Sequence, residues 1–222
     1  VQRDGRRRDD YPPLIASRIE MKLYYSPTSP FVRKVLVASA ELGFDIERLP
    51  AAANPVTRDQ TVVATNPLGQ VPTLFTDDGM ALYDSRVICE YLDGLAGGNR
   101  LFPAGGPARW ERLTEQSLAD GILDAALLMR YEQVIRPNEM FFEPWQRGQQ
   151  EKVTSSLERL EAWAPGFGER VDIGTISIAC ALGYLDLRFA GEGWRRHATL
   201  AAWYERFSTR ESMRATEHQV PA

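Results

Sequence analysis

Apolar and polar positions follow two different periods along this chain, and the change of period divides it. Lys22-Leu23-Tyr24-Tyr25 is a short run of strand-formers. Ser29-Pro30 follows as a helix start, with serine at the N-cap and proline at the first helical position. Val32, Val35, Leu36, Ser39 and Leu42 then recur at helical spacing until Gly43 stops the run. Phe44 to Leu49 predicts a second strand, and residues 51–65 a variable connection with a short helix at most. Asn66-Pro67-Leu68-Gly69 is turn chemistry. Val71 to Phe75 and Met80 to Tyr83 predict two antiparallel strands around an Asp77-Asp78-Gly79 turn. Asp84-Ser85 opens another helix, with Val87, Ile88, Tyr91 and Leu92 on one face. The order strand, helix, strand, helix, hairpin, helix implies a four-stranded mixed sheet with helices on both faces.

Beyond a Gly- and Pro-rich stretch from Gly94 to Pro107 the strand signals stop. Four helical stripes follow. The first runs from Trp110 to Met129, the second from Val153 to Ala164, and the third and most apolar from Ile173 to Leu187. A short one ends at Phe207. The second half is therefore an all-α helical domain. The expected division is an extension at 1–20, a sheet-bearing domain at 21–98, a linker at 99–106 and a helical domain at 107–222. The first 20 residues carry Arg6-Arg7-Arg8, Asp9-Asp10 and Pro12-Pro13 with little to bury, which predicts a flexible extension. They lack the apolar stretch of a secretory signal.

Composition narrows the function classes. Apolar residues at 44% suffice for a sizeable core, and a net charge of -4 gives no electrostatic case for nucleic acid or an anionic membrane. No apolar run approaches the roughly 18–20 residues of a membrane span. Cys89 and Cys180 lie in helical patterns and predict two reduced core thiols. His197 and His218 have no Cys or His cluster beside them, so no metal site is expected.

Three short motifs carry candidate chemistry, and each also has a plain structural reading. Ser29 is an ordinary N-cap. The same geometry suits an anion, because a helix N-terminus carries unpaired N–H groups and partial positive charge. A serine hydroxyl there donates to a thiolate, and with the helix field lowers a thiol pKa near ~8.5 by about one to two units. Thr28 and Tyr25 are close enough in sequence to share that role. Pro72 fits an edge position in trans. In cis it would turn the Val71 backbone outward, to pair with an extended peptide as an added strand does. Asp84-Ser85 caps a helix. It equally offers a second helix N-terminus to a carboxylate, with Asp84 suited to an ammonium group.

The order and spacing are more specific than any one motif. Ser29-Pro30-Phe31 follows the first strand, Asn66-Pro67-Leu68-Gly69-Gln70-Val71-Pro72 comes about 40 residues on, and Asp84-Ser85 stands 13 residues after Val71. This pattern resembles the N-terminal, thioredoxin-like domain of cytosolic glutathione transferases. The opening from Met21 through Ser29-Pro30-Phe31-Val32-Arg33-Lys34-Val35 looks like a bacterial branch of that superfamily. Ala119 to Ala125, Arg136-Pro137 and Ile178 to Leu185 agree with it. The resemblance implies that Ser29 activates the thiol of glutathione. It implies that Val71, with Pro72 cis, pairs with the cysteinyl backbone, that Asp84 and Ser85 hold the γ-glutamyl end, and that Gln70 lies near the glycine carboxylate. Arg58 is a further candidate for that end. Asp172 matches the N-cap of the buried helix of the second domain, in a capping box altered by Thr175.

Omega-like relatives carry cysteine at the position of Ser29 and act as thiol reductases. Serine cannot form a mixed disulfide, so transfer chemistry is favoured here. The expected activity is conjugation of glutathione, as co-substrate, to a small hydrophobic electrophile by a cytoplasmic homodimer. The alternatives are a glutathione- or ligand-binding module with little turnover, and a glutathione-dependent reductase or peroxidase. Tyr25, Phe31, Leu128, Met129 and Tyr131 are candidates for the electrophile pocket, while Asp120 and Asp124 suit a solvated or interface role.

Overall fold

The computed structural model describes residues 20–218. The extension expected at 1–20 lies outside them except for Glu20. The sheet is built from β1 (Met21–Tyr25), β2 (Ile46–Pro50), β3 (Thr73–Phe75) and β4 (Ala81–Leu82), in the order β2-β1-β3-β4. β1 runs parallel to β2, with Met21 opposite Ile46, and antiparallel to β3, with Leu23 opposite Leu74. β3 and β4 are antiparallel, with Leu74 opposite Leu82. The period-two pleat puts Met21 and Leu23 on one face and Lys22 and Tyr24 on the other. Met21 and Leu23 are buried. The Tyr24 ring meets Phe75 edge-on, and its hydroxyl reaches the Thr61 carbonyl at 3.5 Å in the short helix α2 (Gln60–Val63).

On the sheet lie α1 (Pro30–Leu42) and α3 (Ser85–Leu95), packed side by side. Val32, Val35 and Leu36 from the first join Ile88 and Leu92 from the second in the core. Gly43 ends α1 at φ +84°, a conformation that glycine adopts without a Cβ penalty. Arg100 then donates to the carbonyls of Glu41 and Leu42, placing a cation at that helix C-terminus.

The helical half comprises α4 (Gly106–Val134), α5 (Glu143–Trp163), α6 (Ile173–Phe189), α7 (Ala198–Ser208) and α8 (Glu211–Ala215). A four-stranded mixed sheet with its helices, thioredoxin-like, is thus followed by an all-helical domain, as the periodicity predicts. The connection between α3 and α4 is pinned. Asp93 accepts from the Arg100 and Leu101 amides, Leu101 and Phe102 are buried, and the Ile173 amide donates to the Leu101 carbonyl. Trp110 is 66% exposed, so the apolar stripe expected on α4 does not bury its first member.

α6 is the axis of this half. It packs on α4 and reaches across to α1. It opens with Asp172 accepting from the Thr175 amide at 3.0 Å, while Thr175 Oγ1 accepts from the Asp172 amide at 3.1 Å. This reciprocal box satisfies two orphan donors. One correction concerns membranes: Ile173–Glu192 is long and apolar enough in composition to span one, although charges and polar residues interrupt it. That window is 78% buried inside the protein itself, which is what the core helix of a folded domain requires. Both cysteines are free and buried, as expected. Burial pushes the Cys89 thiol up to about 12 and that of Cys180 up to about 11, so neither is a nucleophile at neutral pH.

Candidate functional site

Sheet register decides where the three motifs meet. β1 ends near β3's start, since Tyr24 stands opposite Thr73. β4 ends at the same edge, since Leu82 stands opposite Leu74. The chain therefore leaves β1 toward Ser29, enters β3 from Val71-Pro72 and leaves β4 toward Asp84-Ser85, all at one end of the sheet. The N-termini of α1 and α3 open there side by side.

Ser29 caps α1 in an extended conformation, φ -77° and ψ 120°, with Pro30 behind it. Its Oγ accepts from the Val32 amide at 3.3 Å, and its amide donates to the Ser26 carbonyl at 3.1 Å. Capping uses the oxygen only as an acceptor, so the hydroxyl proton is left to donate outward. A narrow groove beside it is lined by Tyr25, Ser29, Arg33, Arg48 and Glu217 among others. The Tyr25 ring faces the Arg48 guanidinium, 5.5 Å from its centroid.

The Val71–Pro72 peptide bond is cis, as is Tyr83–Asp84. Val71 is held by its neighbours rather than by its own backbone. Buried Asn66 donates to the Gln70 carbonyl at 3.1 Å and to Thr73 Oγ1 at 3.0 Å, and it accepts from the Leu68 amide. Thr73 Oγ1 donates to the same Gln70 carbonyl. Among the described residues nothing pairs with the Val71 N–H or C=O. The Gln70 side chain is exposed. Arg58, the candidate for the glycine end, donates to the Pro67 carbonyl at 2.6 Å and so is engaged by the turn.

Asp84 caps α3 by accepting from the Arg86 amide at 2.9 Å, and the Arg86 guanidinium pairs with it at 2.8 Å. Burial raises its carboxyl, but the hydrogen bonds from Arg86 outweigh that and hold it below the usual range. It is therefore an anion at neutral pH. Ser85 is buried, and among the described residues its hydroxyl has no partner.

Sequence reasoning missed Lys34. Its side chain is fully buried on α1, and its ammonium meets Asp120 of α4 at 2.6 Å. Arg86 approaches the other Asp120 oxygen at 4.0 Å. This pair stands behind the α3 N-terminus and contributes to the field on Asp84. A lysine inside an apolar helical stripe was the available signal. Asp120, expected to be solvated or at an interface, is an interface residue at 6% exposure. Of the pocket candidates, Met129 is corrected. It is 1% exposed because the inner face of α4 packs on α6. Leu128 is exposed, and Tyr25, Phe31 and Tyr131 are half-buried. Among the described residues no cluster of His, Cys, Asp and Glu has the makings of a metal site.

Family comparison agrees with the fold. Residues 23–100 match the model of the glutathione S-transferase N-terminal domain, and residues 143–206 match that of the C-terminal domain. The chain belongs to the glutathione S-transferase family. Among its relatives within that family is an uncharacterized GST-like protein of Escherichia coli K12, YibF. It is 37% identical over 204 residues, covering 89% of this chain and 98% of that one. A glutathione transferase family member from Pseudomonas fluorescens Pf-5, solved with bound glutathione, is 45% identical with a TM-score of 0.88. It covers 90% of this chain and 100% of its own. The match to the same family member with bound S-(propanoic acid)-glutathione has a TM-score of 0.84 at 44% identity and the same coverage. A glutathione S-transferase from Methylobacillus flagellatus KT with glutathione bound is 34% identical, TM-score 0.83, over 90% of this chain and 100% of that one.

Proposed function

We propose that the chain is a glutathione transferase of the bacterial Ser-Pro-Phe-Val-Arg-Lys branch, which binds glutathione at this sheet end and activates its thiol with Ser29. The observation that carries the reading is the set of open groups gathered there: the Ser29 hydroxyl, the Val71 backbone and the Ser85 hydroxyl at a helix N-terminus. Their chemistry, a hydroxyl donor, an open extended backbone and a helix N-terminus, suits a short peptide with an anion at its end. The cysteinyl backbone pairs with the Val71 N–H and C=O as an added strand. The γ-glutamyl carboxylate takes the Ser85 hydroxyl and the α3 N-terminus, while its ammonium group takes the Asp84 carboxylate. Gln70 stands toward the glycine carboxylate. Glutathione bound to the Pseudomonas and Methylobacillus relatives supports this ligand.

At Ser29 the sulfur meets a hydroxyl donor and the positive end of α1. A hydrogen bond to a charged acceptor contributes roughly 1.5–3 kcal/mol and the helix field about 0.3–1 kcal/mol. At about 1.4 kcal/mol per pKa unit, the thiol falls by about one to two units. The thiol proton leaves to water, and the thiolate attacks an electrophilic carbon to form a carbon–sulfur bond. With 1-chloro-2,4-dinitrobenzene the leaving group is chloride. Serine at this position supports transfer over thiol–disulfide reduction. On this reading residues 21–98 hold glutathione, 99–106 connect, and 107–222 supply the electrophile wall in a cytoplasmic homodimer of detoxifying function.

The test is calorimetric titration with glutathione together with turnover of 1-chloro-2,4-dinitrobenzene and other electrophiles. Binding with saturable turnover is the expected result. Binding without turnover of any electrophile favours a glutathione-binding module, and no binding overturns the reading.

A further inference from the structure

Arg33 is the single buried arginine among the described residues, at 6% exposure. It stands four residues after Ser29, on the same face of α1. Its amide donates to the Ser29 carbonyl at 3.1 Å, the first backbone bond of the helix. A helical Cα–Cβ bond tilts toward the N-terminus, here toward Ser29. Both residues line the narrow groove beside Ser29. Three elements of the helical half hold the guanidinium. Nη2 donates to the Met213 carbonyl of α8 at 3.1 Å. Gly183 of α6 leaves it room, because a Cβ there would collide with Arg33 Nη1 and stand 2.8 Å from the Tyr204 hydroxyl of α7.

Among the described residues nothing neutralises this charge. Nη2 meets a neutral carbonyl, Nε is buried without a partner, and no carboxylate pairs with the group. Unpaired arginines elsewhere are at least partly exposed to water, whereas Arg33 is not. Lys34, the other buried cation of α1, is paired with Asp120 at 2.6 Å. A bare buried guanidinium is costly, and a neutral side chain of similar length would fill the slot without that cost. The field of Arg33 reaches the Ser29 loop. His218 brings Nδ1 within 3.4 Å of the Pro27 carbonyl, two residues before Ser29. Burial first, then the charge of Arg33, and less strongly that of Arg188, push its imidazole down to about 4, against the Pro27 contact that raises it. His218 is therefore uncharged at neutral pH. The other charged groups on the groove, Arg48 of β2 and Glu217 after α8, are exposed and screened by solvent.

We propose that Arg33 is a positioning residue for the thiolate at Ser29: the helical half holds a bare cation behind the first turn of α1, and its charge stabilises the sulfur anion without touching it. This rests on the glutathione reading and adds to the hydroxyl and the helix field. A unit charge on the order of 10 Å away, at an effective dielectric of about 20, shifts an ionisation by about one pKa unit. The helical half thereby takes part in activating the thiol, besides walling the electrophile.

The experiment is thiolate ultraviolet absorbance of bound glutathione against pH, in the full chain, for the wild type, Arg33→Gln and Arg33→Lys. Arg33→Gln is expected to raise the thiol pKa by about one unit, a roughly tenfold loss of thiolate at pH values below it. Arg33→Lys keeps the charge and stays within about 0.3 unit of the wild type. Urea denaturation reads the packing lost in each variant, which is all that a purely structural clamp would lose. An unchanged thiol pKa in folded Arg33→Gln overturns the inference, and so does an equal rise in both variants. If Arg33→Gln does not fold, Ser29→Ala decides. With Arg33 in place its thiol pKa stays about one unit or more below that of free glutathione, beyond the roughly 0.2–0.7 unit of the helix field alone. A shift no larger than the helix field's overturns the inference. Failure of the wild type to bind glutathione removes the glutathione reading and this inference together.

Discussion

At the residue scale one atom serves two ends. Ser29 Oγ closes a helix by accepting from Val32, and its proton is left free to donate to a sulfur. Ser29→Ala should therefore raise the thiol pKa of bound glutathione by about one to two units, read from thiolate ultraviolet absorbance against pH. An unchanged pKa removes Ser29 from the activating role. The same substitution deletes a cap and should cost about 1 kcal/mol of stability. His218 gives a second test. Burial, and then the charge of Arg33, push its imidazole down from 6.5 to about 4. Between these values the unfolded chain binds a proton that the folded one refuses, so stability rises with pH through that window. Docking of His218 on Pro27 is complete above about pH 6.5 and lost as pH falls through about 4. A nuclear magnetic resonance titration of His218 with a midpoint near 6.5 would contradict the buried placement. Ser29, Val71 and Asp84 were legible in the sequence because each sits in a local motif beside a turn or helix start. Asn66, Lys34 and His218 were not, because their importance comes from partners distant in the chain or from burial that no short window encodes.

At the element scale, periodicity located every long helix, because a stripe of four or more apolar residues at helical spacing outweighs local ambiguity. It overran the short strands: Met80 to Tyr83 was expected extended, and only Ala81–Leu82 pairs, because β3 offers just three residues to pair with. It missed α8, whose five residues are too few to show a period and whose place is fixed by Arg210 and Ser212 binding Glu41 of α1. The altered capping box of α6 was legible, since Asp172 and Thr175 stand at the required spacing. Removing it tests how much the core helix depends on its first turn. Asp172→Ala should lose about 1–2 kcal/mol in urea denaturation, with an unchanged m value. Gly174→Ala should cost stability too, since a Cβ there collides with the Glu115 carboxylate, itself held by Arg170 at 3.1 Å. If Gly174→Ala is neutral, Glu115 moves aside freely and the network around it is not rigid.

At the scale of the whole molecule, the two halves are joined through α1. Arg100 caps its C-terminus, Arg210 holds its Glu41, Arg33 reaches Met213, and Lys34 reaches Asp120. Only the last of these ties is an ion pair buried at both ends, with side-chain exposures of 0% and 9%. Such a pair is a weak source of net stability, because desolvating both charges offsets their attraction. Breaking it from one side is a different matter, since the partner is then left charged and dry. Asp120→Asn should therefore destabilise the chain by about 3–5 kcal/mol, whereas Lys34→Met combined with Asp120→Leu should lose much less. A double-mutant cycle in urea measures the coupling directly. The pair also stands behind the α3 N-terminus, within reach of Arg86 and of the field on Asp84. Its loss should consequently weaken glutathione binding in the folded double variant even where stability is regained. A double variant that recovers stability and binds glutathione as the wild type does would make the pair a structural tie alone. A variant that recovers stability but not affinity would show that the helical half shapes the γ-glutamyl end of the site through Asp120.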